Sequence, residues 1–157
     1  MSSYTIKDII SSTDRFKIYT LMCSPQNLNN KIGLIRSDKI PVINIGKQLA
    51  FYIEELDDYR FLNIDVYDYI KKIFEKNMTK INGSGNDVVA IYNLGILLEP
   101  SLELNAGQLL KEFSKSAALI IIWENQSELR DRLHWLTQQN IFLDFSETQI
   151  KKLHYAI

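Results

Sequence analysis

Two short runs of continuous apolar residues dominate the hydrophobic pattern of the chain. Residues 88–91 read Val-Val-Ala-Ile, and residues 118–123 read Ala-Leu-Ile-Ile-Ile-Trp, about one helix further along. Runs this short, rich in β-branched residues and bounded by turn sequences, are typical of strands buried on both faces. Strands of antiparallel sheets with one wet face alternate instead, so the pattern predicts an α/β fold with a mainly parallel central sheet.

The first half of the chain adds strands and helices to this fold. Runs of β-branched, aromatic and other apolar residues predict strands at residues 16–23 and 41–45. Apolar residues at helical spacing predict helices at residues 6–10, 47–56 and 66–74. The helix at 66–74 has a well-defined apolar stripe, and we expect Asn63 or Asp65 to cap it.

The second half is predicted as a turn, a helix and further strands. Residues 94–98 form a short helical turn before Pro100, and Asn105 caps a helix that ends near Ser116. Residues 133–136 fit either a strand or the end of a helix, whereas residues 141–145 have a strand pattern. At the chain end, Ser146 and Gln149 make a capping-box pattern, but the alternation of Leu153, Tyr155 and Ile157 favours a strand.

Length, charge and cysteine content describe an ordinary globular protein. The 157 residues predict one domain over residues 1–157, and a net charge of −1 gives no overall field that would attract nucleic acid. The single cysteine, Cys23, excludes an intramolecular disulfide and is expected to be buried at a strand end. With no signal-peptide pattern and no long apolar span, we expect a cytoplasmic protein without membrane contact.

The connection after the first strand lies where a phosphate-binding loop belongs in nucleotide-binding α/β proteins. Such a P-loop combines glycine backbone N–H groups, a lysine that reaches the outer phosphates and a Ser or Thr hydroxyl on Mg²⁺. With Lys31 aligned on that lysine, Pro25 replaces the first glycine and Ile32 replaces the hydroxyl.

Residues 24–30 have the composition of a loop, and residues 31–36 are predicted as a helix that Gly33 weakens. Asn29 and Asn30 tolerate a positive φ, so the loop shape can survive without glycine. Asn29, Asn30 and Lys31 are therefore the candidate cofactor-binding residues. No metal ligands are assigned. The lost groups favour a plain β-to-α connection that binds no phosphate, and a weak or unusual nucleotide site stays open.

Several stretches of the chain have a distinctive pattern of apolar and polar residues. They read Asn-Leu-Gly-Ile-Leu-Leu-Glu-Pro-Ser-Leu at 93–102, Leu-Leu-Lys-Glu-Phe-Ser at 109–114 and Ile-Ile-Ile-Trp at 120–123, with Val-Ile-Asn-Ile-Gly-Lys-Gln-Leu at 42–49. In these features the chain resembles the BrxF family, the small P-loop proteins of BREX bacteriophage exclusion systems. The resemblance covers most of residues 16–157 and is strongest over 88–123. It implies a P-loop NTPase-like three-layer fold.

The departures from the family pattern fall on its catalytic parts. The P-loop glycines and hydroxyl are missing around residues 25–32, Tyr92 stands where the family has a strand-borne acid, and the second acid falls near Gly95. Loss of the Mg²⁺ ligands removes the charge neutralisation on which phosphoryl transfer relies. The resemblance therefore implies a degenerate member: a non-catalytic accessory or scaffold protein of an anti-phage system, with no cofactor.

Two other functions remain as alternatives. A P-loop NTPase subunit could bind ATP if a partner completed its site in trans, since Lys31 is retained. A nucleic-acid-binding module could use Lys71, Lys72 and Lys76 with Lys80, although the net charge disfavours it. The expected partners are other protein components of the defence system, with a homo-oligomer also open and nucleic acid contacted only indirectly.

Overall fold

The computed structural model describes residues 4–80, 85–124, 128–129, 132–135, 138–145, 148 and 151–154. The helices are α1 Ile6–Ser11, α2 Leu28–Ser37, α3 Ile45–Glu54, α4 Leu62–Asn77 and α5 Ala106–Ser116. The strands are β1 Ile18–Met22, β2 Val42–Asn44, β3 Thr79–Lys80, β4 Asp87–Tyr92, β5 Ala118–Trp123, β6 Glu128–Leu129, β7 Arg132–Trp135, β8 Gln138–Asp144 and β9 Lys151–Lys152. Short 3₁₀ turns cover Pro25–Asn27, Gly95–Leu98 and Pro100–Leu102.

The central sheet is mainly parallel, as the apolar runs predicted. Its strands follow the order β2-β4-β5-β1-β9, all parallel, and β3 pairs antiparallel with β4. Every residue of β5 is buried, and so are the four central residues of β4. Strands with no wet face need apolar side chains at every position, which explains why these two runs are continuous rather than alternating.

Helices cover both faces of the sheet and make three layers. On one face α1 and α2 pack through Ile9, Ile32 and Ile35 in a cluster that includes alternate residues of β1, β4 and β5. On the other face α3, α4 and α5 share a larger cluster with the remaining residues of those strands. Successive side chains of a strand point to opposite faces, so each strand contributes to both clusters.

A small antiparallel sheet follows β5 and extends the larger cluster. Its order is β6-β7-β8, and Leu133, Leu143 and Phe145 are buried against the α3–α5 face. The strand alternative for residues 133–136 is therefore correct, and the strand predicted at 141–145 is confirmed with an earlier start.

The last described residues close the edge of the main sheet. Strand β9 pairs with β1, and Leu153 forms a parallel bridge with Tyr4. The strand alternative for the chain end is thus confirmed at Leu153, the one residue of the predicted alternation that the structure describes. Ser146, Gln149, Tyr155 and Ile157 lie outside the described residues.

The start of α2 differs from the prediction. The 3₁₀ turn begins at Pro25 and α2 begins at Leu28, so the expected loop at 24–30 is mostly helical. Proline suits the first position of a helix because its φ is preset and its missing N–H would be unpaired there anyway.

The start of α4 also differs from the prediction. Phe61 occupies the N-cap position without a side-chain hydrogen bond, so neither Asn63 nor Asp65 caps the helix. Instead, a hydrogen-bonded turn precedes the helix. Asp58 Oδ1 accepts from the Arg60 N–H at 2.8 Å, and the Leu62 N–H donates to the Tyr59 carbonyl. The predicted cap at Asn105 is correct, since its side chain accepts from the Gln108 N–H.

Within the described ranges, no helix combines the length and the apolar composition that a membrane crossing requires.

Candidate functional site

The order of the strands creates a topological switch point between β5 and β1. The connection from β1 runs through α2, on one face of the sheet, to β2 at one edge. The connection from β5 runs through the small sheet, on the opposite face, to β9 at the other edge. In open α/β sheets, the crevice beyond the carboxyl ends of such strands is where ligands bind.

Three side chains of different character belong to the segments that border this switch point. Cys23 follows β1 and is buried, Lys31 is in the first turns of α2, and Glu124 follows β5. Burial raises the pKa of the Cys23 thiol, the Glu124 carboxylate raises it further, and the Lys31 ammonium opposes both. Lys31 therefore lies close enough to the crevice to act on its electrostatics, although Pro25 and its turn separate it from β1.

The candidate residues Asn29 and Asn30 do not form a loop. Both are exposed residues of α2, and neither has a positive φ. In the preceding turn the Asn27 N–H donates to the Ser24 carbonyl and the Leu28 N–H donates to the Pro25 carbonyl. These donors are used within the turn, so the connection has the geometry of a compact helix start rather than an open glycine-rich loop.

Ile32, at the position of the metal-binding hydroxyl, belongs to the hydrophobic core. It is 5% exposed and packs in the cluster beneath α2. A hydrocarbon side chain has no atom that can bind Mg²⁺, and this one points into the sheet interface.

The ends of β2 and β4 are joined by a pair of asparagines. Asn93 Nδ2 donates to Asn44 Oδ1 at 2.8 Å, and the same oxygen caps α3 by accepting from the Lys47 N–H at 2.9 Å. Asn93 has a φ of 61°, and a Cβ on Gly46 would overlap its side chain. Two hydrogen-bonded neutral amides therefore lie next to Tyr92, at the end of β4. The nucleotide-binding pattern has an acid at this strand end.

Sequence reasoning missed this asparagine pair. The local signal was available only for Asn44, which stands between a strand and an apolar-periodic helix and therefore suits an N-cap. Nothing local links it to Asn93, because the two residues are 49 positions apart and meet only when β2 and β4 pair.

The lysines of the nucleic-acid alternative are placed as a solvated face. Lys71, Lys72 and Lys76 are exposed on α4, with Glu75 exposed among them. Within the described ranges, no three His, Cys, Asp or Glu side chains gather closely enough to hold a metal ion.

The chain was compared with protein-family models, with curated proteins and with solved structures, and none of them matched it.

Proposed function

We propose that this chain is a non-catalytic accessory or scaffold protein of a prokaryotic anti-phage system, built on a P-loop-like fold whose nucleotide site has degenerated. The observation that carries the proposal is the identity of two residues at the carboxyl edge. Ile32 is buried core where a P-loop has its Mg²⁺ hydroxyl, and β4 ends in Tyr92 rather than in an acid.

The retained parts support an origin in a phosphate-binding fold. A parallel sheet, a switch point beside β1 and a lysine near the start of α2 are the framework on which such sites are built. The anti-phage role rests on the sequence resemblance to the BrxF family.

The residues that replace the Mg²⁺-binding groups explain why we propose a non-catalytic protein. Phosphoryl transfer depends on a metal ion that bridges the outer phosphates and neutralises developing charge. The Asn44–Asn93 amide pair occupies the end of β4, and amides contribute no net charge to balance a triphosphate.

Calorimetry with Mg²⁺–ATP tests the proposal. We expect no binding in the micromolar range and no phosphate release. A micromolar dissociation constant that vanishes in Lys31→Ala, while Lys39→Ala binds normally, would overturn the non-enzyme assignment. Lys39 is a suitable control because it is exposed beyond the C-terminal end of α2.

Phage challenge tests the biological role. A strain that carries the surrounding defence system but lacks this chain should lose protection, and Lys31→Ala should restore it as well as the wild type does. Full protection without the chain contradicts the proposal.

A second candidate function is a nucleotide site completed in trans. The retained Lys31 favours it, because Lys31 and Glu124 both act electrostatically on Cys23, which follows β1 at the edge where a ligand would bind. It predicts ATP turnover that is absent for the isolated chain, appears when the other system components are added and is lost in Lys31→Ala.

A further inference from the structure

Exposed hydrophobic side chains are concentrated in one segment, at the end of α3 and the start of α4. In the described part of the chain, the large hydrophobic residues with the most exposure are Phe51, Tyr59, Phe61, Ile64 and Tyr67, which are between 42% and 59% exposed. We call this set the α3–α4 patch. Scattered exposed hydrophobics are normal, but several within one segment mark an interaction surface.

The patch is held by the packing of the two helices and by the turn between them. Tyr52 of α3 stacks on Tyr69 of α4, with ring centroids 4.0 Å apart and planes 10° apart. The Tyr59 hydroxyl donates to the Ile53 carbonyl at 3.2 Å, which fixes Tyr59 against the end of α3. Ile64 and Tyr67 are three residues apart on α4 and therefore share a face.

Two shallow grooves lie on either side of Tyr67. One, of about 250 Å³, runs between Ile64 and the 103–105 segment; the other, of about 270 Å³, runs between α4 and α5 towards Met78 and Phe113. Tyr67 forms part of the wall of both. Such a pair of grooves along a helix suits the side chains of an extended or helical segment.

Residues 54–68, which carry four of the five patch residues, are acidic, whereas the rest of the molecule is net basic. Residues 54–68 contain six acidic side chains and one basic one, a net charge of −5, whereas the whole chain has a net charge of −1. The remainder of the chain is therefore net +4. The acids are Glu54, Glu55, Asp57, Asp58, Asp65 and Asp68, of which only Asp65 is partly buried.

Most of these carboxylates form no ion pair with a cation of the described residues. Asp58 pairs with Arg60 at 2.7 Å, and this is the one ion pair that the described residues form within residues 54–68. Burial raises the pKa of the Tyr52 hydroxyl, and the carboxylates of Asp65 and Asp68 on α4 raise it further.

We propose that the α3–α4 patch is the docking site for a lysine- and arginine-rich amphipathic segment of a partner protein. The apolar and aromatic side chains would form the buried centre of the interface, and the acids would form its rim. Opposite charge on the partner speeds encounter and selects the correct partner, and Arg or Lys gains further from the faces of Phe and Tyr. The same acids repel phosphates, which argues against nucleic acid and anionic lipid as occupants. The inference rests on the proposed function, because it gives the accessory protein a partner of defined chemistry.

The test uses a synthetic amphipathic helix of about five turns, with Lys and Arg on one face and Leu and Trp on the other. A second peptide has Glu at every basic position. Fluorescence anisotropy measures the binding of each to the full chain, at low salt and in about 0.5 M salt. We expect the basic peptide to bind, to lose affinity in high salt, and the acidic peptide not to bind.

Variants locate the binding surface. The double variant Phe61→Ser/Tyr67→Ser removes two exposed aromatic side chains. It should weaken binding of the basic peptide by about tenfold or more, because loss of central interface residues has effects of this size. Glu54→Lys/Asp57→Lys should weaken it as well and flatten its salt dependence. Glu99→Lys is the matched control, because Glu99 is exposed and outside the patch, and it should retain wild-type affinity. Circular dichroism melts verify that each variant is folded.

The inference is overturned if the basic peptide fails to bind, or if the patch variants bind it as the control does. It is also overturned if the wild type is a dimer by sedimentation and the aromatic double variant is a monomer, since a second copy then occupies the patch. The ATP experiment fails or succeeds independently: a chain that hydrolyses ATP and still binds the peptide through the patch loses the proposed function and keeps this docking site.

Discussion

At the scale of single residues, the space around a glycine decides whether a larger side chain is tolerated at that position. Gly33 and Gly107 are both helical glycines, yet a Cβ on Gly33 meets nothing within 4 Å, whereas a Cβ on Gly107 would overlap the Asp144 carbonyl oxygen. Gly107 lets α5 approach β8 closely, and Gly33 has no such contact.

The two glycines give a paired stability prediction. Gly33→Ala should raise the free energy of unfolding by about 0.5–1 kcal/mol, because alanine is the better helix former. Gly107→Ala should lower it by about 2–4 kcal/mol, because α5 must move from β8. Urea unfolding followed by circular dichroism measures both. Equal shifts in the two variants would show that the α5–β8 contact is not as close as described.

The charges around Cys23 give a second prediction at this scale. Glu124→Gln should lower the pKa of the thiol and Lys31→Met should raise it, because the carboxylate raises that pKa and the ammonium lowers it. Since the chain has a single cysteine, its labelled ¹³Cβ resonance reports the titration from pH 7 to about 11 without ambiguity. Shifts in the same direction for both variants would contradict the opposite effects of these two charges on the thiol.

The same titration sets the sign of a pH effect on stability. Burial holds the folded-state pKa of Cys23 above its ordinary value of 9.0. The contribution of the protonated thiol to stability is therefore fully present below pH 9.0 and is lost as the pH rises through the folded-state pKa. In Cys23→Ala, this part of the fall in the free energy of unfolding at alkaline pH should be absent.

At the scale of elements, the sequence predicted what depends on local pattern. The buried strands β4 and β5 and the stripe of α4 followed from apolar spacing, and the cap at Asn105 followed from its side chain. Helix starts that depend on a turn did not follow. Pro25 began a helix in a stretch with loop composition, because a proline fits a helix start and a loop equally well.

Capping gives the prediction at this scale. Asn105→Ala should lower the free energy of unfolding by about 1 kcal/mol, because the Gln108 N–H loses its acceptor. Asn63→Ala is the matched control: Asn63 is exposed within α4 and caps nothing, so the change should be neutral or slightly stabilising. Thermal unfolding of the two variants decides. A comparable loss of stability in Asn63→Ala would show that Asn63 caps α4, as the sequence suggested.

At the scale of the whole molecule, the candidate site could be predicted only as a position. Local reasoning located the connection after β1 and its missing groups, but the neighbours of that connection come from elsewhere in the chain. Glu124 reaches Cys23 because β1 and β5 are adjacent, and Asn44 reaches Asn93 because β2 and β4 are adjacent. Strand order is a property of the complete sheet, so no stretch of sequence states it.

The closing edge of the sheet gives the prediction for the whole molecule. Leu153→Ala should lower the free energy of unfolding by about 2–4 kcal/mol, because Leu153 is buried in the cluster with α1. His154→Ala is the control: its side chain is exposed, and its retained backbone N–H still donates to the Tyr4 carbonyl. Equal stability of the two variants would mean that the terminal bridge contributes little to the fold.

The place of β1 in the sheet has a consequence for how the protein is made. It precedes the other described strands in the chain, yet its neighbours β5 and β9 come from the second half of the sequence. Tyr19 pairs with Ile120 and with Lys151, so the nascent chain carries an unpaired apolar strand until these distant residues have been synthesised. A fragment that ends in the exposed turn before α4 should therefore be insoluble when expressed alone and be rescued by co-expression of the remainder, which brings both missing neighbours.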